Sequence, residues 1–225
     1  MIQATINSYL AKKQEERKTR ERSGLWNPSS LGGCYRKQWY NRKDIPPTNE
    51  ADERTLRVFQ AGNLFEQFVC DIIKEKIPEA QFQVEIFDET LRVKGFADIV
   101  LPDEVIELKS MHSKGFHYLY KSHDPIEVQK PHNVLQVFAG AVVLNKPKCR
   151  LAFLSKDDLC IQEYGFIMND ERVRIVLDEF TTLNKIWDKG ELPPPSPRLF
   201  GVGKDGPREC SYCNWKDKCR EDKRA

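Results

Sequence analysis

The stretch VKGFADIVLPDEVIELKS, at positions 93–110, contains two runs of strand-forming residues on either side of Pro102 and Asp103. Because β-branched and aromatic residues favour strands and Pro-Asp favours a turn, the stretch predicts an antiparallel hairpin. Side chains alternate between the faces of a strand, so Glu107 and Lys109 should project from the same face, about 7 Å apart. An otherwise apolar strand thus presents a carboxylate and an ammonium together.

Asp98 lies in the first strand of this hairpin and should meet Glu107 at one edge of the sheet. Two carboxylates beside one ammonium suit a divalent cation that prefers oxygen ligands, such as Mg²⁺ or Mn²⁺. The Glu-x-Lys spacing is weak by itself, since it recurs at Glu16 and Glu221, but the only Gly-x-x-Asp of the chain begins just upstream at Gly95. An exposed cross-strand ion pair, which contributes little to stability, is the alternative explanation.

The remaining sequence predicts an α/β protein with a mixed central sheet flanked by helices. We divide it into an N-terminal helical arm (1–28), a core (29–190), and a Pro/Gly linker with a C-terminal cysteine segment (191–225). No regular element is expected in the linker, because prolines and glycines interrupt both helices and strands. Apolar periodicity predicts helices at 2–22, 53–77, 131–144 and about 170–189, and strands at 82–87, 91–101, 104–110, 149–154 and 161–167.

The composition indicates a globular protein with no strong charge bias. The chain has 225 residues, 40% of them hydrophobic, and a net charge of +2, so affinity for nucleic acid must come from local patches. We expect a cytoplasmic protein without membrane contact, because the longest apolar run, at 139–144, is far too short to span a bilayer. Cys70, Cys149 and Cys160 lie among apolar residues and are predicted to be in the core.

Four further cysteines bracket the predicted core. Cys34 lies near its start, and 176 positions later the chain continues with Cys210, Cys213 and Cys219. A fold that brings both ends together would unite these thiols in one site for zinc or an iron-sulfur cluster, and zinc is the usual occupant of a Cys-x2-Cys pair. By analogy with a disulfide, closing this loop would remove roughly 5 kcal/mol of chain entropy from the unfolded state.

Three short motifs, two in the hairpin and one upstream of it, together resemble the PD-(D/E)XK nuclease superfamily, in its RecB-type branch. The matching segments are Gly95-Phe-Ala-Asp98, Glu107-Leu-Lys109 and, upstream, Gly62-Asn-Leu-Phe-Glu66. The resemblance implies a restriction-endonuclease-like fold and a metal-dependent DNA nuclease. Its implied ligands for Mg²⁺ or Mn²⁺ are Glu66, Asp98, Glu107 and the backbone carbonyl of Leu108.

The resemblance also assigns roles to two neighbouring residues. Lys109 would orient the attacking water or stabilise developing negative charge, and Gln136 would position Lys109 or that water. The chain departs from the family pattern at three positions. A glutamate, Glu66, stands where many relatives have a ligating histidine, and Ala97 replaces the proline of the superfamily name. Gly140 stands where a tyrosine usually follows the glutamine, with Phe138 and Tyr118 as candidates to replace its ring.

The order of cysteines and nuclease motifs resembles the iron-sulfur nucleases of CRISPR adaptation and of the AddB-type helicase-nucleases, over residues 29–219. This resemblance implies a structural [4Fe-4S] cluster on Cys34, Cys210, Cys213 and Cys219, with zinc as the alternative. The cluster would act as a staple that joins the N- and C-terminal segments.

Basic and aromatic residues mixed downstream of Lys109 suit phosphate contacts and base stacking, although a solvated loop with core aromatics explains them equally well. The resemblance implies exonuclease action on DNA ends with a preference for single strands. The alternatives are a weakly catalytic or non-catalytic DNA-binding subunit of a recombination or CRISPR-adaptation complex, and a zinc-stapled nucleic-acid adaptor. Candidate DNA contacts are Lys114, Tyr118 and Lys121, with a second patch at Arg36 and Lys37.

Overall fold

A five-stranded mixed sheet forms the centre of the protein, with β1 (Gln81–Asp88), β2 (Val93–Val100), β3 (Glu104–Met111), β4 (Lys148–Ser155) and β5 (Ile161–Ile167) side by side in chain order. The computed structural model describes residues 1–18, 23–199, 201–203 and 206–222. Strands β3 and β4 are parallel, and the other neighbours are antiparallel, which confirms the predicted mixed sheet.

Helices flank this sheet. The four predicted helices are present, and residues 19–22 of the first lie outside the described residues. Within the described ranges, two helices of eight or more residues, α2 (Tyr35–Arg42) and α4 (Ser113–Lys121), were not predicted. The helices are α1 (Ile2–Lys18), α2 (Tyr35–Arg42), α3 (Glu53–Lys76), α4 (Ser113–Lys121), α5 (Ile126–Gln129), α6 (Pro131–Val143), α7 (Asp170–Asp188), α8 (Arg208–Ser211) and α9 (Lys216–Glu221).

Local sequence explains where α3, the helix that carries Glu66, begins and ends. Asp52 caps it, with its side chain accepting a hydrogen bond from the backbone N–H of Thr55 at 2.7 Å. The last helical residue is Lys76, and Pro78 follows shortly after, where a proline cannot continue the helix. The helix carries Glu66 to β3, which it contacts.

The helical arm α1 lies against α3. Leu10 of α1 is buried, and Arg57 of α3 donates a hydrogen bond to Oδ1 of Asn7 at 2.6 Å. At the other end of α1, Lys18 forms a salt bridge with Glu50 at 2.6 Å. These contacts hold α1 against the N-terminal part of α3 and the segment just before it.

Two predictions outside the sheet need correction. Cys70 and Cys149 are buried as expected, but Cys160 is exposed; it ends a turn in which its backbone N–H donates to Asp158. The Pro/Gly segment contains two short paired strands, β6 (Val202–Gly203) and β7 (Gly206–Pro207). A tight antiparallel pair of this length escapes detection because it has no room for alternating side chains. No helix in the described ranges is long and apolar enough to cross a membrane.

Candidate active site

A fork between β2 and β3 creates the candidate site. These strands pair only at Ile99–Ile106 and Val100–Val105, whereas β1 and β2 pair along nearly their whole length. Beyond the two pairs, the side chain of Asp98 takes the place of a backbone partner, and its Oδ2 accepts a hydrogen bond from the N–H of Leu108 at 2.8 Å. The divergence of the strands therefore fixes one carboxylate directly against β3.

Glu107 and Lys109 project from the same side of β3, as predicted, and form an ion pair. Glu107 is only 3% exposed. Its Oε1 also accepts a hydrogen bond from Nε2 of Gln136 at 2.6 Å. Gln136 was expected to position Lys109 or a water, but its direct partner is the carboxylate.

Glu66 reaches the same fork from α3 through a residue that sequence reasoning missed. Nε2 of Gln83 donates to Oε1 of Glu66 at 2.7 Å and lies 3.4 Å from Oδ1 of Asp98. The backbone φ of Gln83 is +48°, in the left-handed region that costs a non-glycine residue roughly 1 kcal/mol or more. In the β1–β2 register Gln83 stands opposite Asp98, and this pair is missing from the ladder. The distortion thus aims one amide at two carboxylates.

Crowding and burial act on the protonation of these groups. Burial raises the pKa of Glu107, against the opposing effect of Lys109. Burial also raises the pKa of Asp98, although the Leu108 N–H opposes it, and the pKa of Glu66, with a further rise from Asp98. Burial by itself would lower the pKa of Lys109, but the carboxylates raise it, with Glu107 the strongest. The site therefore favours an additional positive charge.

The donor set suits a cation with oxygen ligands, but the side chains are engaged with one another. Throughout the described ranges, no three His, Cys, Asp or Glu side chains are already arranged as ligands of a single metal ion. The oxygens of Glu66 and Glu107 accept hydrogen bonds from Gln83, Gln136 and Lys109. Binding of a cation thus requires some of these contacts to rearrange.

A cavity of about 400 Å³ opens beside the fork. Glu66, Leu108 and Lys109 line it, together with apolar residues of α3 and with Arg17 at the end of α1. We call it the α3 cavity. It provides the fork with an open approach large enough for a small ligand.

The four predicted cluster cysteines line a second cavity of about 380 Å³, which we call the cysteine cavity. Cys34 immediately precedes α2, and the other three come from the segment of α8 and α9. The cations that line this cavity are Arg36, Lys37, Lys216 and Arg220. Glu209 also lines it. Soft sulfur donors near an excess of positive charge suit a thiolate-bound cluster or a thiolate-bound zinc ion.

A buried carboxylate also joins the two ends of the chain. Glu209 is 3% exposed, and it accepts hydrogen bonds from the backbone N–H groups of Cys34 at 2.7 Å, Arg198 at 2.7 Å and Leu199 at 3.1 Å. Arg198 in turn donates to the carbonyl of Gly33 at 2.7 Å. We call this arrangement the Glu209 clasp. It holds the segment containing Cys34 against the C-terminal segment through protein atoms alone.

The candidate DNA contacts fall into two groups. Lys114, Tyr118 and Lys121 are exposed on α4, at spacings of four and three residues that place them on one face of the helix. Lys37 lines the cysteine cavity. Arg36 is only 7% exposed and donates to the carbonyl of Pro193 at 2.6 Å, so its guanidinium is not available to a strand.

The expected replacement for the family tyrosine needs correction. Phe138 is 3% exposed and packs edge-on against Phe166, so its ring belongs to the core. At Gly140 an added Cβ would lie 3.3 Å from a methyl group of Val105, so α6 packs too close to the sheet there to admit a ring. Tyr118 remains exposed on α4.

Comparisons with known proteins support the fold. No protein-family model matches the chain, and no curated protein matches it. Among solved structures, the protein named SSO0001 is 21% identical, with 97% of this chain and 96% of that chain covered and a TM-score of 0.61. The alkaline exonuclease LHK-Exo from Laribacter hongkongensis is 14% identical, with 78% of this chain and 93% of that chain covered and a TM-score of 0.55.

A third similar structure is a phage-related exonuclease from Haemophilus somnus 129PT. It is 13% identical, covers 69% of this chain and 79% of its own, and has a TM-score of 0.53. Identities this low establish a shared architecture and leave the chemistry to the site itself. The chain therefore has a nuclease-like fold, shared with solved structures of an alkaline and a phage-related exonuclease.

Proposed function

We propose that this chain is a Mg²⁺- or Mn²⁺-dependent deoxyribonuclease that acts on DNA ends and prefers single strands. The observation that carries the proposal is the meeting of Asp98, Glu107 and Lys109 at the β2–β3 fork. The shared fold supports it, and one similar structure, LHK-Exo, was crystallised with dAMP. A purely structural sheet has no need to collect charged groups at the point where two strands separate.

The residues at the fork fit a divalent cation. When ionised, three carboxylates beside one ammonium leave an excess of two negative charges, and carboxylate oxygens are hard ligands. We propose Glu66, Asp98, Glu107 and the carbonyl of Leu108 as the ligands. A bound Mg²⁺ or Mn²⁺ would supply an activated water and offset the charge of the scissile phosphate.

The other side chains of the site have positioning and electrostatic roles. The ammonium of Lys109 lines the α3 cavity, where it can donate hydrogen bonds to the phosphate oxygens as negative charge develops. Gln136 fixes the orientation of Glu107, and Gln83 holds Glu66 close to Asp98. These amides fix the carboxylates before substrate arrives, which is how surrounding residues commonly tune a metal site.

We further propose a [4Fe-4S] cluster on Cys34, Cys210, Cys213 and Cys219, with zinc as the alternative occupant. Their shared cavity and the four cations that line it support this assignment, because such a cluster with four thiolates carries net negative charge. The proposed role is structural, and it would reinforce the Glu209 clasp. We also propose that the chain works with a protein partner in recombination or CRISPR adaptation. Its proposed location is the cytoplasm.

The proposed DNA path runs along α4. Lys114, Tyr118 and Lys121 form an exposed basic and aromatic face on the helix that directly follows β3, so a strand bound there would lead to Lys109. Such faces contact single strands through phosphate attraction and base stacking.

The decisive assay uses end-labelled single- and double-stranded DNA with Mg²⁺, Mn²⁺ or chelator. We expect metal-dependent cleavage that is lost in Asp98→Asn and Lys109→Met. The matched controls are Asp103→Asn and Lys148→Met, which change an exposed ion pair on the same sheet and should retain activity. Equal cleavage by the site variants and the controls would refute the site. Metal-independent DNA binding without cleavage would favour the non-catalytic subunit.

The cluster has a separate test in anaerobic purification and metal analysis. We expect a brown protein containing about four iron atoms per chain, and loss of iron in Cys34→Ser but not in the exposed-cysteine control Cys160→Ser. A colourless protein with one zinc per chain would replace the cluster by zinc.

A further inference from the structure

The walls of the α3 cavity combine three kinds of chemistry. Glu66 and Lys109 of the proposed catalytic site are among the lining residues. Most of the remaining lining from α3 is apolar and aromatic, and two further basic residues, Arg17 and Lys156, also line the cavity. The volume of about 400 Å³ falls in the range of small-ligand sites.

The apolar wall is open to solvent. Val58 is 47% exposed, Phe59 54% and Ile161 48%. Large side chains exposed side by side at a concave surface usually mark a binding site. A phenylalanine ring in this position offers a face on which a planar group can stack.

The basic residues come from two separate elements that meet at this cavity. Arg17 lies in the last turn of α1, which is held by the Asn7–Arg57 contact with α3 and by the Lys18–Glu50 contact with the segment before α3. Lys156 directly follows β4. Together with the aromatic wall, they form a surface complementary to a planar base joined to a phosphate.

We propose that the α3 cavity binds one unstacked nucleotide of a single DNA strand, with its base on Phe59 and its phosphate between Arg17 and Lys156. This inference rests on the proposed function, because the next phosphodiester of the strand would then lie at Glu66 and Lys109. It also gives a physical origin for the single-strand preference. A base that is paired with the other strand and stacked on its neighbours cannot enter the cavity. Only frayed or unpaired ends would therefore reach the fork.

The first test measures binding of fluorescein-labelled oligothymidylate by anisotropy, in chelator, so that no cleavage occurs. We expect Phe59→Ala to weaken binding about tenfold, within the range of one base–aromatic stack. The matched control is Phe96→Ala, a 52% exposed phenylalanine on β2 that does not line the cavity. Equal affinities for the two variants would overturn the proposal, as would a Phe59→Ala effect confined to oligomeric state, which would indicate a protein-docking face.

The phosphate contact predicts a change in salt dependence. Arg17→Ala should reduce the slope of log affinity against log salt by about 0.7, the value for one phosphate contact on a single strand. Lys12→Ala, which removes an exposed cation from the same helix, should leave the slope unchanged. Unchanged slopes in both variants would remove Arg17 from the subsite.

An oligonucleotide with one abasic position separates this inference from the proposed function. Wild-type protein should lose about tenfold in affinity when the missing base is the one on Phe59, and Phe59→Ala should show no further loss. If wild-type protein binds with this pattern but cuts no DNA, the proposed nuclease fails and the subsite stands. If it cuts DNA but the abasic position has no effect, the subsite fails alone.

Discussion

Nε2 of Gln136 donates a hydrogen bond to Oε1 of Glu107 at 2.6 Å, and both side chains are buried. The glutamine comes from α6 and the glutamate from β3, so the contact ties the most apolar helix of the core to the candidate site. A buried carboxylate with a fixed amide donor has fewer orientations available. Through this hydrogen bond, the packing of α6 against the sheet determines the position of the Glu107 carboxylate.

Replacing Gln136 by leucine should reduce metal-dependent cleavage by about 10- to 100-fold, the usual cost of losing a residue that orients a metal ligand. The metal concentration needed for half-maximal activity should rise, because Glu107 loses its donor. Gln3→Leu, an exposed glutamine on α1, serves as the control. An unchanged metal requirement would show that Gln136 has only a packing role.

Gln83→Gly should separate stability from activity. Glycine relieves the left-handed backbone at this position and should leave stability unchanged or raise it by about 1 kcal/mol, while the lost amide lowers cleavage about tenfold. Gln81, in the same strand, has ordinary backbone geometry. Gln81→Gly should therefore have the opposite effects: it should lower the free energy of unfolding by about 1 kcal/mol and keep activity. Urea unfolding and the nuclease assay together test the pair.

The sequence predicts the hairpin, and the meeting of Asp98, Glu107 and Lys109, because both depend on local patterns. Alternation and a Pro-Asp turn determine β2 and β3, and Glu107 and Lys109 share a face by strand geometry alone. The helix α2 was missed for an equally physical reason. Its buried side chains include Arg36, Gln38 and Arg42, so the helix has no apolar stripe to detect. Buried Arg42 has its guanidinium over two tryptophan rings that meet edge to face, 4.3 Å from the centroid of Trp26 and 4.1 Å from that of Trp187.

Other parts of the site depend on contacts that are distant in sequence or on unusual backbone. Nothing about Gln83 in a predicted strand signals a positive φ, since any residue type but glycine is rare there. Glu209 finds its partner at Cys34, 175 residues away, and only the folded chain brings them together. Short-range patterns thus locate the proposed ligands but not the residues that hold them in place.

The Glu209 clasp predicts that the two ends of the chain stay joined without a metal. Glu209→Gln keeps the size of the side chain, but its amide N–H₂ must face backbone N–H donors, so we expect a destabilisation of about 2 kcal/mol. The measurement is urea unfolding in a Cys34→Ser background, which removes the proposed cluster. Glu191→Gln, an exposed glutamate, is the control. If Glu209→Gln is as stable as the Glu191→Gln control, the clasp contributes little, and the thiolates would be the main connection between the two ends of the chain.

The burial of His132, in the first turn of α6, should make the free energy of unfolding depend on pH. Burial lowers its pKa from 6.5 to about 4, and Lys130 and Lys109 add to the effect. Between these values the unfolded chain binds more protons than the folded one. The contribution of neutral His132 to the free energy of unfolding is therefore complete above about pH 6.5 and falls as the pH drops towards 4. At pH 5 the loss should be about 1–2 kcal/mol, allowing for partial exposure.

Urea unfolding at pH 7.5 and pH 5 for wild type, His132→Gln and His117→Gln tests this effect. His117 is an exposed histidine on α4 and serves as the control. Other groups also titrate in this range, so the informative quantity is the difference between variant and wild type in the loss on acidification. His132→Gln should lose less stability than wild type, and His117→Gln the same amount. Parallel losses in all three proteins would show that His132 is not held neutral by the fold.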